Sequence, residues 1–192
     1  MMKKIFTLGA ALVLAGCAAI SVVALSFGET TEFSVDGTRL LMTGEINSRT
    51  LDQFEEIYAD NPQIRTLVEL NVPGSADDET MIALAYRVRG LGLDTELRAD
   101  SEIYSGGVDL FLAGVNRVIA DGAVLGVHSW SDGQRDAADY PRNSPEHEMN
   151  RKYIEDMLGS DEFYWFTIYA APADGIHVMT RAEIAKYGLV TK

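Results

Sequence analysis

Short apolar runs of strand type alternate with helical patterns along most of the chain, and this alternation limits the folds that it can adopt. "IRTLVELNV", residues 64–72, is a strand-type run that ends at Pro73-Gly74, and the helical pattern "DDETMIALAYRVRGLG" follows it over residues 77–92. Acidic residues open that helix and basic residues close it, as the helix dipole favours. Strands that alternate with helices predict an α/β domain whose sheet pairs its strands largely in parallel.

The remaining patterns extend this scheme to the end of the chain. Asp36-Gly37 lies between two alternating runs and indicates a β-hairpin near the start of the domain. Thr180 and Glu183 form a capping-box pattern, which predicts a last helix ending at Gly188. The other expected elements are, in chain order, a helix over 48–61, a strand over 93–99, two short strands within 115–130, and helices over 144–159 and 161–172.

Length and charge restrict the classes of partner. The chain has 192 residues, of which 47% are hydrophobic, so one domain with a sizeable core is the simplest organisation. Beyond residue 26 the chain carries 14 basic and 29 acidic side chains, a net charge of −15. Nucleic acids and anionic lipid headgroups bind clustered Lys and Arg, so this surface repels both. The charge therefore argues against a nucleic-acid partner.

Residues 1–26 have the pattern of an export signal, in which a short basic segment precedes a long apolar stretch. Within it, "LAGC", residues 14–17, resembles a bacterial lipobox. That resemblance implies cleavage before Cys17 and attachment of lipid to its thiol. Cys17 is the only cysteine of the chain, so no disulfide within the chain is expected.

Two other fates of the leader stay open, because the chain remains apolar after Cys17. Cleavage after Ser26 would release a secreted protein. An uncleaved leader would anchor the chain, since the apolar stretch nearly reaches membrane-spanning length. All three fates place the acidic domain, residues 27–192, outside the cytoplasm. We expect a periplasmic or extracytoplasmic domain, with lipidated Cys17 as the leading form of membrane attachment.

Three polar motifs at the ends of predicted strands could form one reaction site. "NVPGS", residues 71–75, joins a strand to a helix, so its backbone N–H groups could face a substrate oxygen. Ser105 begins the next helix, and the N–H of Gly106 behind it is a natural oxyanion donor. His128 ends the strand "AVLGVH", where a general base could act. A helix cap is the alternative role for Ser105.

In order and spacing, these motifs resemble the Clp-protease proteolytic subunit and its crotonase-like superfamily. "SGGVDLFLAG", residues 105–114, resembles the family's nucleophile helix. "NRVIADGAVLGVH", residues 116–128, resembles the short hairpin and strand that follow, and "TRAEIAKYGLV", residues 180–190, resembles the tail. The similarity covers roughly residues 35–192. It implies an α/β fold built as a spiral of β-β-α units with a largely parallel sheet.

Residue by residue, the resemblance implies acyl transfer at Ser105. Ser105 would attack a carbonyl while His128 takes its proton, and water would later release the acyl group. The N–H groups of Gly106 and of Gly74 or Ser75 would form the oxyanion hole. The implied substrate is a peptide or an ester, and no cofactor is expected.

The chain departs from the family pattern at several positions. The family's third catalytic residue, an aspartate, aligns with or beside Ile176, so Asp174 is the candidate for orienting His128. Ser75 stands where the family has a second glycine, and Asp109 replaces a large apolar residue of the nucleophile helix. The family's segment for docking an ATP-driven unfoldase is not recognisable, which favours a hydrolase that acts without ATP.

Two other functions stay open at this point. The departures also fit a non-catalytic binding or scaffolding module that retains the fold, and a crotonase-type acyl-thioester enzyme is a third candidate. His147 and its flanking glutamates lack a second pair of ligands, so no metal site is expected. The aromatic stretch 162–169 is expected to be a buried helix, with a binding lip or an oligomer contact as alternatives. The superfamily usually forms rings or trimers, which makes a homo-oligomer an expectation of the resemblance.

Overall fold

A computed structural model describes residues 30–192 of the chain. Its strands are β1 (Glu32–Asp36), β2 (Arg39–Thr43), β3 (Thr66–Val72), β4 (Asp94–Tyr104), β5 (Arg117–Ile119), β6 (Val124–Val127) and β7 (His177–Val178). Its α-helices are α1 (Thr50–Asp60), α2 (Asp78–Gly90), α3 (Gly106–Phe111), α4 (Glu148–Leu158), α5 (Glu162–Ala170) and α6 (Arg181–Lys186). Single turns of 3-10 helix lie at Ala137–Asp139 and Pro145–His147.

The seven strands of residues 30–192 form one sheet in the order β1-β2-β3-β4-β6-β7, with β5 also beside β4. The inner pairs, which are β2 with β3, β3 with β4, and β4 with both β5 and β6, are parallel. The outer pairs, β1 with β2 and β6 with β7, are antiparallel. The prediction of an α/β fold with a largely parallel sheet is therefore confirmed.

Strands β5 and β6 do not pair with each other within this sheet, so the hairpin expected over residues 116–128 is wrong. Both run parallel to β4, β5 beside Thr95–Leu97 and β6 beside Glu102–Tyr104. β4 spans 11 residues, which leaves room for two short strands end to end along one of its sides. The turn at Asp121-Gly122 therefore connects two strands that run in the same direction, one after the other along β4.

The predicted hairpin turn and helix cap, which depend only on residues close together in the sequence, are confirmed. The first two strands pair through Asp36↔Arg39, around Gly37 with a φ of +60°. The carboxylate of Asp77 accepts the N–H of Thr80 and caps α2. The capping box at the start of α6 is present as predicted. These caps fix where each helix leaves the sheet.

Helix α3 is short and lies in the interior of the domain, against β3, β4, β6 and α2. It approaches β3 closely at Gly107, where an added Cβ would lie 2.9 Å from both the carbonyl oxygen and Cγ1 of Val72. Glycine at this position therefore lets the helix dock at the end of β3. That contact sets the position of the residue just before the helix, Ser105.

Aromatic side chains around His147 connect the segment after β6 to helix α5. The indole N–H of Trp130 donates to the hydroxyl of Tyr164 at 3.0 Å, and that hydroxyl lies 2.6 Å from His147 Nδ1. Since the Tyr164 oxygen accepts from Trp130, its proton is available to His147. Helix α5 is buried at Phe163, Tyr164, Trp165 and Ile168, which confirms the buried helix predicted over the aromatic stretch.

A carboxyl group is buried in the middle of the sheet without a partner. Glu69 of β3 is fully inaccessible to solvent, and neither of its side-chain oxygens has a hydrogen-bond partner among the described residues. Removal from water raises the pKa of Glu69 well above its ordinary value, because burial penalises the charged form. Folding therefore favours the protonated form of Glu69.

The contact between Gly107 and Val72 predicts that Gly107→Ala destabilises the domain by about 1–3 kcal/mol, because the added methyl overpacks a close helix–strand contact. Gly90→Ala is the matched control, since an added Cβ at the end of α2 meets nothing within 4 Å. We expect the control to be neutral or to stabilise by up to about 1 kcal/mol. Urea unfolding measures both, and equal effects would contradict this packing.

Replacing Glu69 is expected to change how stability depends on pH. The folded protein keeps the Glu69 proton at pH values where the unfolded chain loses it, so wild-type stability falls as pH rises above about 4.5. Glu69→Gln removes this contribution. The variant should gain stability relative to wild type as pH rises above about 4.5, by at most about 1.4 kcal/mol per pH unit. Unfolding curves whose difference does not change with pH would contradict a neutral buried Glu69.

Candidate active site

Ser105 lies at the turn between β4 and α3 in a strained backbone conformation. With φ of 50° and ψ of −124°, it is the only residue other than glycine with positive φ in the described part of the chain. A side chain at such a φ costs about 1–3 kcal/mol and persists only where its surroundings hold it. The N–H of Ser105 donates to the carbonyl of Gly126 at 2.9 Å, so β6 holds the turn in place.

The hydroxyl of Ser105 does not cap the helix that follows it. Ser105 occupies the N-cap position of α3, but its side chain makes no hydrogen bond to the helix backbone. The residue instead lines three adjoining pockets, and His128 lines each of them with it. The capping role that the sequence left open is therefore not supported by this geometry.

The turn after β3 brings the predicted oxyanion residues to Ser105. Gly74 has φ of +145°, and a Cβ on it would lie 3.3 Å from Ser105 Cβ. A Cβ on Gly106 would overlap the side chain of Ser75 and lie 3.1 Å from its backbone nitrogen. Within residues 30–192, the backbone N–H groups of Ser75 and Gly106 make no hydrogen bond. Both groups therefore lie in the turns beside Ser105 without a partner among the described residues.

His128 follows directly after β6 and is half-buried beside Ser105. Its Nδ1 lies 2.7 Å from the carbonyl oxygen of Ser129. A carbonyl only accepts, so Nδ1 must carry the proton, and Nε2 of the neutral ring is then left as an acceptor. Among the described residues, no hydrogen bond joins the hydroxyl of Ser105 to His128. In this structure the two residues line the same pockets without a hydrogen bond between their side chains.

Asp174 lies near the pair but is not bonded to it. It is exposed in the loop before β7 and lines a pocket with Gly74, Ser105 and His128. No hydrogen bond between Asp174 and His128 occurs within residues 30–192. The carbonyl of Ser129 occupies the ring nitrogen that an orienting carboxylate would hold. Ile176, the family's aligned position, lines the same pocket, and the role of Asp174 stays a prediction.

A second pocket beside Ser105, here called the inner pocket, has a cavity volume of about 40 Å³ and opens to solvent. Asp78 and Asp109 line it with Ser105 and His128. Burial, and then the charge of Asp78, raises the pKa of Asp109 to about 7. Asp109 is thus the polar group that the sequence placed one turn after Ser105, and its carboxylate lies on the wall of the pocket.

The sequence missed the contribution of α4 and α5 to the inner pocket. Asn150 and Ile154 of α4, and Tyr164 and Thr167 of α5, line it. Asn150 Nδ2 lies 3.4 Å from a carboxylate oxygen of Asp78, which orients the amide. The helical spacing of Asn150 and Ile154 indicated one shared helix face, but no local motif showed which strand ends that face would meet.

Other predictions concern parts of the chain or partners that this structure does not include. Cys17, Ser26 and the leader lie outside the described residues. Residues 30–192 contain no helix that is long and apolar enough to span a membrane. No group of three or more His, Cys, Asp or Glu side chains in that range is arranged to hold a metal ion.

Solved structures share this fold at low sequence identity. A membrane-bound stomatin-specific protease, 1510-N, solved as a variant in complex with a substrate peptide, superposes with a TM-score of 0.54. It is 19% identical, and the match covers 78% of this chain and 71% of that one. An enoyl-CoA hydratase from Bacillus anthracis superposes with a TM-score of 0.51 at 13% identity, over 84% of this chain and 69% of that one.

No protein-family model matches the chain, and no curated protein matches it. At identities below one fifth, the structural neighbours define the fold and leave the chemistry of this chain open. One neighbour is a peptide-bound protease and the other is a crotonase enzyme. The chain has the fold of the Clp-protease/crotonase superfamily.

Proposed function

We propose that this chain is an exported serine hydrolase that cleaves a peptide or ester bond by acyl transfer at Ser105, without ATP. The observation that carries the proposal is the conformation of Ser105. A non-glycine residue holds a strained φ of 50° while its hydroxyl caps nothing and the residue lines pockets shared with His128. Such strain is concentrated at functional sites, and a purely structural turn would favour glycine here.

The reaction follows from the groups around Ser105. Its Oγ attacks the substrate carbonyl carbon, and the Oγ proton passes to Nε2 of His128. The N–H groups of Ser75 and Gly106, with Gly74 as the alternative donor beside Ser75, stabilise the oxyanion. Collapse of the intermediate returns the Nε2 proton to the leaving amine or alcohol.

Water completes the cycle. Nε2 of His128 removes a proton from a water molecule, which attacks the acyl carbon and releases the carboxylic acid from Ser105. The carbonyl of Ser129 holds Nδ1–H throughout and keeps Nε2 as the acceptor. Asp174 would join this orientation after a shift of its loop, which is the role that the resemblance implies. For proton transfer, substrate binding must bring Ser105 and His128 into hydrogen-bond reach.

The structural neighbours support a hydrolase and leave one alternative reaction. The stomatin-specific protease binds a substrate peptide on the same fold, which favours peptide cleavage for this chain. The enoyl-CoA hydratase favours acyl-thioester chemistry, but an exported domain would meet little coenzyme A. A non-catalytic binding module is the other alternative, and the missing Ser105–His128 hydrogen bond in residues 30–192 is the observation that favours it.

The proposed location rests on the leader. Lipidation of Cys17 would attach the domain to the membrane outside the cytoplasm. Cleavage near Ser26 would instead release the domain. A homo-oligomer remains part of the proposal through the resemblance alone.

A fluorophosphonate probe should label the wild-type protein, because it reports a serine activated by a neighbouring base. We expect no labelling of Ser105→Ala and at least about a 100-fold slower rate for His128→Gln. Ser48→Ala, which removes an exposed hydroxyl far along the chain from the site, is the control and should label like wild type. A wild-type protein that never reacts, or a reactive Ser105→Ala, would contradict the proposed nucleophile.

Metabolic labelling with an alkyne-tagged fatty acid tests the lipid anchor. The wild-type protein should incorporate the tag and fractionate with membranes. Cys17→Ala should lose the tag completely, because this is the only thiol in the chain. A tag-free wild type that appears in the soluble exported fraction would instead support cleavage near Ser26. Tag-free protein that stays in the membrane would support the uncleaved anchor.

A further inference from the structure

We propose that the inner pocket binds a positively charged side chain of the substrate, so that the enzyme prefers lysine or arginine beside the bond that it cleaves. This inference rests on the proposed function and names the substrate class of that same site. It is argued from the pocket's hydrogen-bonding groups, its charge and its position beside Ser105.

The polar groups of the inner pocket are mostly acceptors. The carboxylate of Asp109 makes no hydrogen bond within residues 30–192. Asn150 Oδ1 is buried and also has no partner there, while its Nδ2 is oriented toward Asp78. An ammonium or guanidinium group is a pure donor. It would therefore pair with the Asp109 carboxylate, whereas an apolar side chain would cover that carboxylate without giving it a partner.

The charge of the pocket favours the same ligand. Asp78 and Asp109 both line it, and no Lys or Arg is among its lining residues in the described chain. The Asp78 carboxylate is already engaged by the Ser75 hydroxyl and by Asn150, so Asp109 is the carboxylate left for a ligand. A cation beside Asp109 would offset the unfavourable proximity of these two like charges.

The pocket also lies in a suitable place. Ser105, His128 and Asp109 line it together, so a substrate whose carbonyl meets Ser105 can extend the neighbouring side chain toward Asp109. Trp130 and Tyr164 contribute aromatic walls, which pack against the aliphatic part of a long cationic side chain and attract its charged end. A cation there would also offset the repulsion between these carboxylates and the developing oxyanion.

Binding of the cation should depend on the protonation of Asp109. Because its pKa is raised to about 7, affinity for a lysine side chain should rise from pH 5 to pH 8 as the carboxylate ionises. The other titratable groups around the pocket are Asp78 of α2, His128 after β6, Tyr164 of α5 and, behind α3, Tyr153 of α4 and Glu69 of β3. All of them are retained in Asp109→Asn, so the part of the pH dependence lost in that variant belongs to Asp109.

The test measures binding without turnover. Two blocked tetrapeptides differ only in lysine or norleucine at the residue whose carbonyl would meet Ser105, and their Kd values are determined by calorimetry on Ser105→Ala at pH 8. We expect the lysine peptide to bind at least about tenfold more tightly. Asp109→Asn in the same background should bring the two Kd values to within about threefold, and Asp109→Leu should favour norleucine.

One further variant is the matched control. Asp139→Asn makes the same charge change at an exposed residue outside the pocket and should leave the preference intact. Neither substitution of Asp109 removes a hydrogen bond of its side chain, so both variants should fold, as circular dichroism will show. If one does not fold, the other gives the same comparison.

Equal or tighter binding of norleucine, no binding of either peptide, or a lysine preference that survives both Asp109 variants would overturn the cationic subsite. Fluorophosphonate labelling of the wild-type protein separates this result from the proposed function. Labelling without a lysine preference rejects only the subsite. A lysine preference that depends on Asp109, in a protein that never labels, retains the subsite and rejects the hydrolase.

Discussion

The backbone at Ser105 has to turn from a strand into a helix within one residue. The packing around the site holds that turn in place. The carbonyl of Gly126 holds its N–H, and its own carbonyl accepts the N–H of Val108 in the helix. Gly107 lets the helix lie directly on Val72 at the end of β3. These contacts hold a non-glycine residue at a φ that it would otherwise leave. They also bring the start of α3, the end of β6 and the turn after β3 to the same pockets, which is the arrangement on which the proposed acyl transfer rests.

The second constraint is electrostatic, because the site lies on top of buried acids. Glu69 is sealed in the sheet, and the carboxylates of Asp78 and Asp109 line the inner pocket. The Tyr153 hydroxyl donates to the backbone carbonyl of Asp109 at 2.6 Å, so the tyrosine ties α4 to α3. Burial raises the pKa of Glu69 and of Asp109, so both weaken folding as pH rises above the ordinary pKa of a carboxyl group. A cationic substrate group would offset that cost at Asp109, which links the unusual residue of the nucleophile helix to substrate choice.

The sequence predicted those parts of the fold that depend on neighbouring residues. Ser105 and His128 were found because each follows an apolar strand-type run. The structure brings both residues to shared pockets. The hairpin that the resemblance implied over residues 116–128 is wrong, because both strands pair with β4, and their short apolar patterns do not show which strand each one pairs with. Asn150 was missed for a similar reason. Its place in the pocket depends on how α4 packs against strand ends that are distant in sequence. Local sequence patterns do not predict such packing.

Acyl transfer at Ser105 is the central claim, and the chemical adduct itself tests it most directly. Wild-type protein treated with diisopropyl fluorophosphate should gain the mass of one diisopropylphosphoryl group, and peptide mapping should place it on Ser105. Loss of this adduct after prior unfolding would show that the folded turn activates the hydroxyl. An adduct on another residue, or none on the folded protein, would contradict the account.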